Sequence, residues 1–106
     1  MRKLLLFLII PFLSFGQNVN IPDANFKACL VGTSSINAND DDEIQVSEAA
    51  SYDGWIWCQA LGISDLTGIE AFTSVTNILC GWNELAALDL SQNTALTSLS
   101  CQDNQL

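Results

Sequence analysis

Residues 37–48 read NANDDDEIQVSE, and Asn37, Asn39, Asp41 and Glu43 recur at every second position before Glu48 closes the run. All five carry oxygen donors, the ligand type of hard divalent cations. A second set is apolar and large: Trp55, Trp57, Leu79 and Trp82. Tryptophans grouped on a surface mark contact sites for proteins, and they also stack on sugar rings. A third set is Cys29, Cys58, Cys80 and Cys101. The chain contains no His, which removes Ser/His/Asp triads, Cys–His pairs and His-ligated zinc. Its Ser-rich segments lack a base to activate a hydroxyl. Asp65 and Glu70 are close in sequence, but a carboxylate pair is commonplace among 12 acidic residues. No enzyme signature emerges.

The elements that must position these residues begin after an export signal. Arg2 and Lys3 precede an apolar run, Leu4 to Phe15, with Ser14 and Gly16 at −3 and −1 of a cleavage site before Gln17. This is the secretory pattern, expected over residues 1–16. The run is too short for a bilayer span of about 20 residues, and Pro11 interrupts it. The mature chain is therefore expected not to span a membrane. Cleavage leaves Lys27 as the one basic residue against 12 acidic ones. Such a chain repels phosphate backbones, so nucleic acid is not an expected partner. Export also permits disulfides.

Residues 17–52 are expected to form a helix–loop–helix cap. Asp23 is a good helix N-cap, Phe26, Cys29 and Leu30 share one face, and Gly32 is a natural stop. The acidic loop follows. Ile44 and Val46 alternate with polar residues, and a second short helix begins at Ser47. From residue 53 the texture changes to short apolar intervals punctuated by Asn and Ser.

Residues 53–106 repeat. At an offset of 22, Ile56 matches Ile78, Cys58 matches Cys80 and Ile63 matches Leu85. At an offset of 21, Ile78 matches Leu99, Cys80 matches Cys101 and Asn83 matches Asn104. A period of this length marks a solenoid, with about two and a half coils stacked into a parallel sheet. Alternation within a strand turns Ile78 and Cys80 inward and Asn77, Leu79 and Gly81 outward. The same register places Trp55, Trp57 and Gln59, then Ser98, Ser100 and Gln102, on the outward face. Asn83 and Asn104 end their strands, where an amide can satisfy backbone groups left unpaired by the turn. Leu61 holds that slot in the first coil. The sequence stops at Leu106 in mid-coil, as expected of the N-terminal part of a longer protein.

The unit L-x-x-L-x-C-x-x-N-x-L resembles the leucine-rich repeat family, with Cys in the third apolar slot. The stretch IPDANFKACL…EIQVSEA…GISDLTGIEAF followed by such repeats looks like surface leucine-rich repeat proteins of bacteria. That resemblance implies an α/β-type solenoid, secreted or held at the bacterial cell surface, acting in non-catalytic protein binding or adhesion. Two alternatives stay open: a glycan-binding accessory module of a larger secreted hydrolase, and a structural surface-layer component. Protein or glycan at the cell surface is the expected partner.

The loop resembles a calcium-binding EF-hand or dockerin loop. The resemblance puts Asn37, Asn39 and Asp41 at ligand positions 1, 3 and 5, the Glu43 carbonyl at 7 and the Glu48 carboxylate at 12. It departs from the pattern with Asn at position 1 and Asp42 where Gly is usual. The bland alternative is a solvated acidic loop. For the tryptophans, the alternative is that the cap folds over them. The cysteine row reads as small core thiols. Cys29 could pair with Cys58, but four cysteines allow three full pairings and sequence does not choose. No C-x-x-C pair exists to hold zinc.

Overall fold

The computed structural model describes residues 17–106. The expected export signal over residues 1–16 lies outside the described residues. Helix α1, Ala24–Val31, starts where Asp23 accepts from the Asn25 and Phe26 N–H groups, both at 3.0 Å. This satisfies donors that a helix start leaves unpaired. Phe26 and Leu30 point into the core, and Gly32 closes the helix through its N–H to the Ala28 carbonyl. Helix α2, Val46–Ser51, begins one residue before the expected Ser47. Glu48 reaches back to accept the Gln45 N–H at 3.0 Å, so Gln45 takes the cap position and Val46 becomes helical.

Three short strands follow: β1 Trp55–Trp57, β2 Asn77–Leu79 and β3 Ser98–Ser100. They form one parallel sheet in the order β1-β2-β3. Ile56 pairs with Ile78, and Ile78 with Leu99. These are the sequence offsets of 22 and 21. A 3₁₀ turn at Ile69–Ala71 lies on the return from β1 to β2.

The core is continuous from cap to sheet. It joins Phe26, Leu30, Ile36, Ile44 and Ala49 to Ile56, Ile63, Phe72, Val75, Ile78 and Leu85. The inner row is buried on the first two strands and open on the last. Ile56 and Ile78 are buried, but Leu99, next in the row, is 42% exposed. Among the described residues nothing packs over that side of β3.

The N-terminal segment ties the cap together in a way its sequence does not suggest. Asn18 bridges Gln45 in antiparallel fashion, through Val19 N–H to Ile44 O (2.8 Å) and Val46 N–H to Gln17 O (3.0 Å). The segment then crosses Gly68. That glycine has φ 111°, and a Cβ there would lie 2.8 Å from the Ile21 side chain. Only a glycine permits both the conformation and the close approach.

Candidate functional site

The outward face of the sheet is built by extending the strand register. Cys58 N–H donates to Leu79 O (2.9 Å) and Ala60 N–H to Gly81 O (3.1 Å). Cys80 N–H donates to Ser100 O (2.8 Å) and Trp82 N–H to Gln102 O (2.9 Å). The ladder therefore runs two residues past each strand. Three outward rows result: Trp55–Asn77–Ser98, Trp57–Leu79–Ser100 and Gln59–Gly81–Gln102. None of the nine carries a charge, although the chain as a whole has a net charge of −9.

Trp55 and Trp57 are 52% and 65% exposed. The cap does not fold over them, because it packs against the end of the core instead. Alternation along β1 puts both side chains on one side, from backbone positions about 6.6 Å apart along the strand. The Trp57 indole N–H donates to Gln59 Oε1 at 2.9 Å, which fixes the ring's polar edge. Leu79 faces Trp57 across the sheet and is half-buried. The Gln102 amide lies over Gly81, where a Cβ would sit 2.9 Å from it. Trp82 stands past the strand, 53% exposed. Its φ of 54° repeats in Ala60 (55°) and Asp103 (57°), the residues before the Asn slot of each coil. No glycine marks these turns, so composition offers no sign of them.

Beneath this face the expected amide ladder is present. Asn83 Oδ1 accepts from Leu61 N–H (2.9 Å) and Ile63 N–H (3.1 Å). Its Nδ2 donates to Cys58 O (2.8 Å) and Cys80 O (2.9 Å). Asn104 repeats the arrangement with Leu85 N–H, Cys80 O and Cys101 O. Asn93 forms a second buried bridge that sequence reading missed, donating to Ile69 O and Phe72 O, both at 2.9 Å. Its counterpart one coil earlier is Ala71, so alignment of the repeats shows no amide pair there.

The cysteine row is not uniformly small core thiols. Cys29 of α1 and Cys58 after β1 are joined by a disulfide, with Cα atoms 6.1 Å apart. Cys80 and Cys101 continue the row as free thiols. Burial pushes the Cys80 thiol up to about 11, with Cys101 beside it adding to the shift. Asp23 makes a second link between cap and sheet region. Its Oδ2 accepts from the Ser64 N–H (3.0 Å) and hydroxyl (3.2 Å). Burial alone would raise its carboxyl, but the hydrogen bonds from Phe26, Ser64 and Asn25 hold it below the usual range.

The acidic loop is folded on itself. Asp41 Oδ1 accepts the Glu43 N–H (3.1 Å), and its Oδ2 accepts from the Gln45 (2.9 Å) and Asn39 (3.2 Å) amides. These bonds, the Glu43 N–H first, lower the Asp41 carboxyl. Glu48 accepts the Asn39 and Gln45 N–H groups. The Glu43 carboxylate pairs with Lys27 at 2.8 Å, which leaves the backbone carbonyl as its contribution to any ligand. Asn37 is buried, 3% exposed, with Nδ2 donating to Val31 O and Asp41 O and Oδ1 without a partner. Among the described residues no three acidic or thiol side chains gather as a metal-holding group.

A concavity outside these sites is lined by Asp65, Glu70 and Asp89 among others. Each carboxylate is occupied locally: Asp65 by Thr67, Glu70 by the Gly68 N–H and Asp89 by Ser91.

No family model matches the chain. Over 74 residues it is 40% identical to internalin J of Listeria monocytogenes serotype 4b (strain F2365), a match that covers 69% of this chain and 8% of that protein. The chain thus spans under a tenth of the length of the curated relative it matches. A solved structure of the functional domain of InlJ from Listeria monocytogenes, described as including a cysteine ladder, is similar with a TM-score of 0.67. It is 38% identical over 83% of this chain and 19% of that one. Two structures of CBM51-2 and INT domains from Clostridium perfringens ZmpB, one of them in complex with GlcNAc, are similar in fold. Their TM-scores are 0.63 and 0.62 at 23% and 24% identity, over 77% of this chain and 17% of theirs. In sequence and in fold, the chain is related to the internalin J of Listeria.

Proposed function

We propose that this chain is the capped N-terminal end of a leucine-rich repeat solenoid, and that it serves non-catalytic recognition or adhesion at the bacterial surface. Residues 1–16 act as the export signal, 17–52 as the cap and 53–106 as the first coils. The single observation that carries the reading is the outward sheet face: a registered, uncharged surface with Trp55 and Trp57 standing in solvent. Buried cores do not need exposed tryptophans, whereas contact surfaces favour them. Kinship with internalin J supports secretion or surface display. Kinship with internalin J and the local hydrogen bonds that hold the Asp65, Glu70 and Asp89 carboxylates support a non-enzymatic role.

The test is adhesion of beads carrying the full chain to intact target cells. Trp57→Ala should abolish adhesion, and Glu70→Gln should leave it unchanged. Equal adhesion by both variants would remove the sheet face from the reading.

The acidic loop is proposed to hold calcium as a structural ion. Asn37, Asn39, Asp41, the Glu43 carbonyl and Glu48 would supply the oxygens. The support is the buried Asn37 oxygen, which has no hydrogen-bond partner. A bound ion would brace the loop against α2 and the N-terminal segment. Calcium at a hundred times its dissociation constant would stabilise the chain by about 2.7 kcal/mol. A thermal melt with calcium against one with chelator reads this out, and Asp41→Asn should erase the difference. Identical melts would retire the ion.

A further inference from the structure

From the chemistry of the outward sheet face, we infer that its ligand is a neutral oligosaccharide, stacked on Trp55 and Trp57 and hydrogen-bonded by the amides and hydroxyls beside them. The inference rests on the recognition reading above and names its ligand class. Three observations carry it.

The first is charge. The chain has 12 acidic residues and 3 basic ones, yet none of the nine outward positions is charged. Electrostatic complementarity is the usual source of orientation and selectivity between proteins. A face with no charge offers a protein partner none of this, and it offers an anionic polymer no counter-charge. A neutral polyhydroxylated chain needs neither.

The second is the form of the apolar part. Trp55 and Trp57 project from the same side of β1 at alternate positions, more than half exposed. An indole face carries negative π density and packs well against the C–H groups of a sugar ring. Two such side chains, rooted about 6.6 Å apart along the strand, offer consecutive platforms rather than one pocket. The Trp57 ring edge is held by Gln59, so less rotamer freedom is lost on binding.

The third is the change across the sheet. β1 supplies aromatics, β2 supplies Asn77 and Leu79, and β3 supplies Ser98 and Ser100. Ser100 donates to the Gln102 side chain, whose amide lies across Gly81. A sugar lying on the indoles thus meets neutral donors and acceptors along its hydroxyl-bearing edge. This combination of one stacking side and one hydrogen-bonding side matches the two surfaces of a pyranose.

The experiment is calorimetric titration of the full chain with cellohexaose, N-acetylchitohexaose and mannopentaose, with heparin and polygalacturonate as anionic probes. Tryptophan emission is followed in parallel. The inference predicts that at least one neutral oligosaccharide binds and perturbs the emission. Trp57→Ala should weaken that binding by a measurable factor, because it removes one of the two stacking faces. Trp57→Phe should retain part of it, and Ser100→Ala should weaken it less. Glu70→Gln should leave it unchanged. Matching melts of the variants separate lost stacking from lost fold. Binding of the anionic probes alone would overturn the inference. So would a blank neutral panel accompanied by Trp57-dependent adhesion to enzymatically deglycosylated cells, an outcome that leaves the recognition reading standing with a protein ligand. A blank panel with no adhesion to any cell would overturn both.

Discussion

The disulfide between Cys29 and Cys58 is the covalent tie between cap and sheet, and removing it has a calculable effect. The bridge closes a loop with a sequence separation of 29 residues. In the chain-entropy treatment, a loop of that size restrains the unfolded state by about 3.6 kcal/mol. For a domain of this size each kcal/mol moves the melting point by several degrees, so the loss corresponds to about 15–25 °C. The variant is the double replacement Cys29→Ala with Cys58→Ala, which leaves no stray thiol. The assay is a circular dichroism melt with and without a phosphine reductant. The parent should fall by this amount on reduction, and the double variant should start low and ignore the reductant. Cys80→Ala provides the contrast, because it removes a core thiol without a bond. It should lower the melt in both conditions and keep the sensitivity to reductant. A parent melt indifferent to reductant, or four free thiols titrated in the unreduced chain, would refute the reasoning.

Further outcomes follow from the same contacts. Asn83→Leu keeps the volume and the burial but strands the Leu61 and Ile63 N–H groups and the Cys58 carbonyl, while Cys80 O keeps its bond from Asn104, so it should cost about 3–5 kcal/mol, measured by denaturant unfolding. The corresponding change at half-buried Asn104 should cost less. Asp23 has a folded-state carboxyl below its ordinary value of 3.8. Its contribution is therefore complete above that pH and is lost as pH falls through the lower folded value. Acid melts of Asp23→Asn should accordingly flatten relative to the parent below about pH 4. With its thiol at about 11, Cys80 is protonated near neutrality. A thiol reagent at pH 8 should modify half-buried Cys101 well before Cys80, and denaturation should equalise them.

Much of the framework was legible in the residues because it depends on short periods. Cys58, Cys80 and Cys101 fall at offsets that the strand register reproduces, and alternation sorted inward from outward side chains. Asp23 and Gly32 bracket α1 through local cap chemistry, which needs no tertiary context. The Asn83 bridge could be anticipated because a strand end leaves backbone groups that an amide can satisfy. What escaped reading depends on long-range closure. Nothing in Gln17–Val19 announces that it pairs with Gln45, since a single bridge has no pattern. Asn93 occurs in a polar stretch where surface exposure is the default. The left-handed turns are filled by Ala60, Trp82 and Asp103, so the usual glycine marker is missing. The choice of Cys29 with Cys58 among three pairings depended on where α1 docks.

The central claim is that ligand contact occurs on the outward sheet face. The most direct measurement is covalent footprinting of indoles in the full chain, free and bound to target cells. The account predicts that Trp55 and Trp57 are readily modified in the free chain and protected in the bound one. Unchanged modification of both indoles during firm binding would contradict it.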